Sequence, residues 1–465
     1  VEPARAQAPR ALAVRRRSGR FRLRTLGIEP VARLVACGLA VAADALWVAL
    51  RAPFSTAGAR EARRVAWRER TACRLAATLG ALRGTFVKAA QFAAHRPDVL
   101  PAGATRALAR LRDEVPPLRF EIVRRAVESE LGAPLERLFA EFEPVPLAAA
   151  SVAQVHRARL PGGEPVAVKV QYPWLERALP GDLALVRATL ALAARLGGLR
   201  SLDRVRLFDE FAAGLREELD FEREAETARE IARNLAGDPQ IVVPRVVASH
   251  SSRRVLTMGL VPAVRITDAA GLARLRVAPR ALVEIVARAY AKQIFVDGLF
   301  HADPHPGNLF VIDEPGAGEH PRVLFVDFGL SRRLDPALRR ELRQGLHALV
   351  RRDLDAFLAG MDRMGVIGAG CHARVRAAVA GMFERIAARG GALGLAGSGA
   401  LALKDEAKAL LWSTPGLQLP NDLLLFAKTL SYVFGLAREL DPEADAMRTA
   451  LPYLLRFLAQ GDAAA

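Results

Sequence analysis

The sequence is short of lysine, cysteine and aromatic residues, and each shortage narrows what the chain can be. Its three cysteines, Cys37, Cys73 and Cys371, are too few and too far apart for a disulfide framework or a thiolate metal site, and a reduced, intracellular setting is expected. Aromatics make up only 6% of the 465 residues although half the chain is apolar. The core must therefore be built mainly from Leu, Ala and Val, in a chain long enough for more than one lobe. Of 67 basic residues only six are lysine. Arginine spread over nearly every helix beside abundant alanine reads as solvated basic faces, so the formal charge of +17 does not imply a nucleic-acid partner, and none is expected. Where arginine has displaced almost all lysine, a retained lysine marks a site that needs a compact ammonium on a slim stem. Lys88 and Lys169 are two such positions.

Residues 1–25 carry eight arginines and two prolines with little periodicity and read as a disordered basic arm. The run from Leu34 to Leu50 (LVACGLAVAADALWVAL) has seventeen residues and contains Asp44, whereas a spanning helix wants about twenty apolar residues. A buried or membrane-surface helix is expected; the alternative is a single span whose preceding arginines hold the N-terminus in the cytoplasm. The charged stretch before it is too long for a signal peptide. From about Arg60 to Glu130 the pattern is helical, broken at Arg96-Pro97 and Pro116-Pro117. Within 144–173, SVAQVHRARLPGGEPVAVKVQ reads as strand, Pro-Gly-Gly turn and strand. One long charged helix is expected over about 203–236, short strands at about 240–260, and helices beyond about 280. These are interrupted by a polar loop and a hairpin (NLFVI, turn, RVLFVDFGL). The pattern predicts an α+β fold: an arm and apolar helix (1–59), a helical extension (60–140), a small α/β lobe (141–262) and a larger helical lobe (263–465).

The polar loop, LFHADPHPGNLF at 299–310, contains two prolines that forbid an ordinary helix. Asp303 and Asn308, a carboxylate and an amide five residues apart, suit phosphoryl transfer: one orients or deprotonates an acceptor, the other ligates Mg²⁺. Nineteen residues beyond Asn308 an apolar strand ends in VDFG, placing Asp327 where it could bridge Mg²⁺ to phosphates. In VAVKV, Val166, Val168 and Val170 share one face of a strand while Lys169 lies on the other. A lysine inside an apolar strand needs a partner, and its context matches the nucleotide lysine of kinases, which pairs with a helix glutamate. The candidates are Glu217, Glu218, Asp220, Glu222 and Glu224. Glu218 and Glu224 lie about 240° apart around one helix, so they would serve two cations, Lys169 and, as candidate for the second, Lys88. Lys88 and Gln91 share a helical face that by itself reads most simply as a snorkelling lysine.

Two features of ordinary kinases are missing. The stretch before the lysine strand, PLAAASVAQVH at 146–156, contains no glycine; its alanines restrict backbone freedom, while Ser151 and Gln154 add polar groups. No activation segment follows Gly329, because LSRRLDPALRREL turns helical almost at once, and protein substrates are disfavoured.

Over roughly residues 70–455 these elements together resemble the UbiB-type (AarF/ADCK) atypical kinase-like family. Its K-x-G-Q element resembles Lys88-Ala89-Ala90-Gln91, its alanine-rich loop Ala148-Ala149-Ala150-Ser151, and its nucleotide lysine Lys169. Its E-x-D element resembles Glu218-Leu219-Asp220, with the lysine-pairing glutamate at Glu224; its H-x-D-P-H-P-G-N loop runs from His301 to Asn308 and its DFG from Asp327 to Gly329. The resemblance implies a kinase-like fold whose K-x-G-Q helices cover the peptide site, and binding of ATP with Mg²⁺. It also implies ATPase activity and support of ubiquinone or other isoprenoid-quinone metabolism at membranes. On that basis Asp303, Lys169 and Glu224 are the catalytic candidates, and Asn308 and Asp327 the metal ligands. The alanine loop, Lys169 and the backbone near Met258 and Val261 would hold nucleotide. Lys88, Gln91, Glu218 and Asp220 would regulate access, with Lys88 and Gln91 reaching Glu218. Membrane lipids, isoprenoid-quinone precursors and quinone-biosynthesis proteins are the implied partners, at the cytoplasmic side of the inner membrane. Ala90 stands where the family has glycine, and Gly259 where its members usually carry an acidic hinge residue; no tail of spanning helices is seen before Ala465. Two other readings are an aminoglycoside- or choline-type phosphotransferase and a catalytically weak, nucleotide-gated lipid-binding scaffold.

Overall fold

The computed structural model describes residues 28–82, 84–94, 117–195, 204–368, 370–388, 414, 417 and 419–460. The basic arm and the breaks at Arg96-Pro97 and Pro116 lie outside them. The chain forms two compact units, Val1–Trp67 and Arg68–Ala465.

In the first unit, helix α1 (Ile28–Arg51) is longer than the apolar run suggested: Val31–Arg51, 21 residues, is apolar enough to cross a membrane. At 1.5 Å per residue that is about 31 Å, the thickness of a bilayer's hydrocarbon core. The helix is not packed like a core element, since Val35, Leu39, Leu46, Trp47 and Leu50 are all exposed. At its end the Arg51 guanidinium lies over the Trp47 ring, 4.2 Å from its centroid. Helix α2 (Ala57–Leu82) begins in this unit and continues into the second.

In the second unit, Gly84 (φ +57°) turns the chain into α3 (Thr85–Ala94), and α4 (Phe120–Leu131) and α5 (Leu135–Leu138) precede the first sheet. That sheet comprises β1 (Glu141–Phe142), β2 (Ala148–Ala149), β3 (Ala153–Arg159), β4 (Pro165–Gln171) and, later in the chain, β6 (Val255–Gly259), all antiparallel. The β3–β4 hairpin turns at Gly162-Gly163, where φ of +83° at Gly163 suits only glycine. The expected alternation is observed in β4. Val166, Val168 and Val170 are buried against Val123 and Val127 of α4, leaving Lys169 on the opposite face.

Helix α6 (Leu175–Arg195) is followed by two helices where one was expected: α7 (Arg204–Glu218) and α8 (Phe221–Leu235). The Phe221 amide, which a continuous helix would bond to Glu217, donates to the Arg253 carbonyl at 3.0 Å. Gln171 takes the Leu219 carbonyl at 2.8 Å, and Asp220 caps α8 through the Arg223 amide. Glu218 and Glu224 thus sit on different helices, rather than about 240° apart around one as expected from the sequence.

The strands expected at 240–260 also divide. β6 joins the first sheet, while β5 (Ile241–Val242) pairs in parallel with β10 (Val323–Phe325) in a second sheet, with β7 (Ala263–Arg265) and β9 (Leu309–Ile312). The β9–β10 hairpin is as expected. Helices α9 (Ala269–Leu275) and α10 (Pro279–Ala291) lead into a single π-helical turn, Lys292–Asp297. β8 (Leu299–Phe300) and β11 (Arg332–Arg333) pair across the polar loop, and α11 (Pro336–Arg351) starts seven residues after Gly329, as the sequence indicated. Helices α12 (Leu354–Arg363), α13 (His372–Ala388), α14 (Asn421–Leu440) and α15 (Ala446–Ala459) complete the helical part. Its core joins Leu282, Ile285 and Tyr290 of α10 to Phe325, Phe328, Val433 and Leu436.

Candidate active site

Lys169 is held by two carboxylates. Its Nζ lies 2.8 and 2.9 Å from the two Glu224 oxygens, on the first turn of α8, and 3.0 Å from Asp327 Oδ1. The ammonium also sits 5.0 Å from the centroid of the buried Phe221 ring. Burial works against its charge, yet Asp327 and Glu224 overcome that and raise its pKa above the usual lysine range. Burial pushes the Glu224 carboxyl up to about 7 against the pull of Lys169, and the Asp327 charge adds to the rise. Lys169 holds Asp327 at about 2 in spite of desolvation. Glu224 is 3% exposed, so it is a fixed partner; the Asp327 side chain is half exposed and free to bind something else. Asp327 adopts φ +63°, a left-handed conformation unusual for a residue with a side chain. A Cβ at Gly329 would stand 3.3 Å from Glu224 Oε2, which explains the glycine there.

The polar loop hangs from a buried histidine. His301 Nε2 faces the Val326 carbonyl at 3.0 Å, an acceptor, so Nε2 carries the proton. Nδ1 then accepts from the Tyr290 hydroxyl at 3.2 Å and the Asp303 amide at 3.4 Å. Gln293, on the π-helical turn, accepts from the His301 amide at 2.9 Å. These bonds tie the loop to the strand that carries Asp327. Asn308 Nδ2 donates to both the carbonyl and Oδ2 of Asp303 at 3.1 Å, which leaves the Asn308 amide oxygen for a cation.

Sequence reasoning missed Lys428. From α14 its Nζ reaches Asp303 Oδ1 at 3.1 Å, 125 residues away in the chain. The signal was present, since Lys428 is one of only six lysines.

Lys88 pairs with Glu218, joining α3 to the end of α7, while Gln91 is half-buried one turn further along α3 and Ala90 is wholly buried. Next to Glu218, Glu217 pairs with the buried Arg332 of β11 and with Arg223 at 2.7 Å. Asp220 is a helix cap, 3.8 Å from Arg253, and the structure does not bring it to Lys169.

In the alanine loop, Ala148 and Ala149 pair with β3, and the Ala150 amide closes a tight turn on the Ala153 carbonyl at 2.8 Å. The Tyr172 hydroxyl holds the Ala150 carbonyl at 2.9 Å. Ser151 at the turn is 2% exposed, and its hydroxyl has no partner among the described residues. Gln154 does not belong to the site. It lies opposite Val170 on the core face, accepts from the Leu118 amide at 2.8 Å and contacts His156 Nε2 at 2.7 Å. Gln154→Ala should cost about 1–3 kcal/mol of stability by leaving buried groups unpaired and leave nucleotide affinity unchanged. Denaturant unfolding and nucleotide titration check both; weakened binding without destabilisation would place Gln154 in the site.

At the hinge, the Gly259 amide is taken by the Arg245 carbonyl and the Leu260 amide by the Pro165 carbonyl; Met258 lies opposite Ala167 in the ladder. Val261 is the next amide along the chain. Among the described residues there is no cluster of three or more His, Cys, Asp or Glu that could cage a metal. The donor set still fits Mg²⁺, which is held by one or two protein oxygens together with phosphates and water. The orphaned Ser151 hydroxyl and the half-exposed Asp327 fit a phosphate ligand and its cation.

A model of the ABC1 atypical kinase-like domain matches residues 110–360, which include Lys169, Glu224, Asp303, Asn308 and Asp327. The chain is 34% identical over 395 residues to "Probable protein kinase UbiB" of Marinobacter nauticus, covering 82% of this chain and 69% of that protein. The chain belongs to the UbiB-type, ABC1 atypical kinase-like family. It is likewise 34% identical to the UbiB protein of Pseudomonas aeruginosa, over 83% of this chain and 71% of that one. An uncharacterized Synechocystis protein, sll1770, is 31% identical over 80% of this chain but only 63% of its own length. The chain thus spans roughly two thirds of these family members. Among solved structures it is similar to Rv3197 of Mycobacterium tuberculosis, determined in complex with erythromycin. The TM-score is 0.53 at 22% identity, covering 86% of this chain and 100% of that one. At that identity the likeness is one of fold, and the fold is kinase-like. Lys88 and Lys428 lie outside the residues matched by the family model.

Proposed function

We propose that this chain is an ATP-binding, Mg²⁺-dependent atypical kinase or ATPase that supports ubiquinone or other isoprenoid-quinone metabolism at a membrane surface. The observation that carries the reading is the Lys169–Glu224–Asp327 cluster, with the Asp303–Asn308 loop tied to the same strand through His301. Lys169 and the alanine loop would hold the phosphates, Val261 the base, and Asn308 and Asp327 the Mg²⁺, which supplies charge neutralisation at the phosphates. Met258 would line the pocket beside Val261. In the transfer, the terminal phosphorus exchanges its bond to the bridging oxygen, which leaves with ADP, for a bond to the acceptor oxygen. Asp303 orients that acceptor, water or a lipid-linked hydroxyl, and takes its proton for release to solvent.

The short passage from Gly329 to α11 supports a small acceptor over a peptide. The exposed apolar α1, with Trp47 and Arg51 at one end, supports membrane attachment, by a span or along the cytoplasmic face of the inner membrane. ATP hydrolysis should rise when anionic liposomes carrying a phenolic quinone-precursor mimic are added. Turnover should fall by about 10²–10³-fold in Lys169→Ala and Asp327→Asn. Nucleotide binding that both variants weaken, with no turnover under any condition, would replace this proposal with the lipid-binding scaffold.

A further inference from the structure

Lys428 is built into the acceptor side of the site. Its side chain is only 14% exposed, and its ammonium lies 3.1 Å from Asp303 Oδ1 and 5.4 Å from the Tyr432 ring centroid. Asp303 Oδ2 is already occupied by Asn308, so the carboxylate is gripped at both oxygens. An ammonium has three N–H donors, and among the described residues Asp303 is the one hydrogen-bond acceptor Lys428 meets. Two donors remain beside the carboxylate that would meet the acceptor.

Charge argues in the same direction. On the nucleotide side Lys169 lies between Glu224 and Asp327, and Lys88 pairs with Glu218. Asp303 and Asn308 bring no positive charge of their own to this loop, and Lys428 supplies one. A slim cation has also been kept here in a chain whose basic residues are otherwise almost all arginine.

We propose that Lys428 is a phosphate-contacting residue: one N–H holds Asp303, and the others take an oxygen of the terminal phosphate of a bound nucleoside triphosphate. This rests on the nucleotide reading given above. The role is distinct from that of Lys169, and it should show in the preference for a triphosphate over a diphosphate.

The test is calorimetric titration of the full chain with Mg²⁺ and either a non-hydrolysable ATP analogue or ADP. Wild type, Lys428→Met, Asp303→Asn and the double variant would be compared, with thermal unfolding of each. Lys428→Met should retain ADP affinity within about twofold and lose about tenfold of its preference for the triphosphate. The same loss should appear when Lys428→Met is added to Asp303→Asn, where no carboxylate remains to be neutralised. If Lys428→Met alone fails to fold, the comparison of Asp303→Asn with the double variant still gives the answer. An unchanged preference, or a loss that vanishes in the Asp303→Asn background, would reduce Lys428 to a structural partner of Asp303 and overturn the proposal. Wild-type protein that binds neither nucleotide would sink the nucleotide reading itself, and this inference with it.

Discussion

Lys169→Met is expected to destabilise the fold by about 3–5 kcal/mol at pH 8, because it leaves two carboxylates, the buried Glu224 and Asp327, without their shared cation. The deficit should shrink on acidification. Glu224 already titrates near 7 in the intact fold, raised from 4.5. A carboxyl whose folded pKa is raised is neutral in both states below 4.5, and stability falls as pH rises from 4.5 to 7, where the unfolded chain has lost the proton that the fold keeps. Removing Lys169 takes away the one neighbour that opposes this rise, so the variant should lose stability steeply between pH 5 and 8. Asp327, held near 2 by Lys169 in the intact fold, is ionised throughout that window and adds no slope to the wild-type curve. Adding Glu224→Gln to Lys169→Met should recover most of the loss at pH 8. Urea unfolding of the three proteins at pH 5.5 and 8 checks this. A deficit that did not depend on pH, or that Glu224→Gln failed to repair, would show that the burial of Glu224 is not what Lys169 relieves.

Asp303→Asn should lower turnover by about 10³-fold while leaving the loop in place. Most of the bonds that position the loop do not use the Asp303 carboxylate: His301 is fixed by Val326, Tyr290 and Gln293, and Asn308 also donates to the Asp303 carbonyl, while the bonds from Asn308 to Oδ2 and from Lys428 to Oδ1 lose the charge of their acceptor. The variant should therefore bind nucleotide with near wild-type affinity and lose about 1–3 kcal/mol of stability through its weakened pair with Lys428. Single-turnover hydrolysis beside equilibrium binding separates the two effects. Undiminished turnover would remove Asp303 from the handling of the acceptor.

Much of this site was legible because its parts are written locally. A valine on every second residue fixes which face of β4 carries Lys169, and two prolines with a glycine fix the loop that holds Asp303 and Asn308. What could not be read is set by contacts distant in the chain. The break between α7 and α8 depends on the Arg253 carbonyl claiming the Phe221 amide, and nothing between Glu217 and Glu222 is a strong helix breaker. Gln154, a polar group in the alanine-rich stretch, is placed on the core face by its cross-strand neighbour Val170. α1 exceeded its apolar run because helical residues before Leu34 extend it towards Ile28. Lys428 sits in an ordinary amphipathic stretch, and the scarcity of lysine was its sole mark.

The adjacent glutamates that end α7 have a mechanical meaning. Successive residues on a helix project about 100° apart, so one turn can grip two segments that need not touch each other. Glu218 holds α3 through Lys88, and Glu217 holds the strand after Gly329 through Arg332. The last turn of α7 is thus a yoke between the element beside the site and the segment that presents Asp327. Rolling α7 about its axis to re-aim one carboxylate swings the other off its arginine or lysine, so the two segments keep a fixed setting relative to each other for as long as both pairs hold.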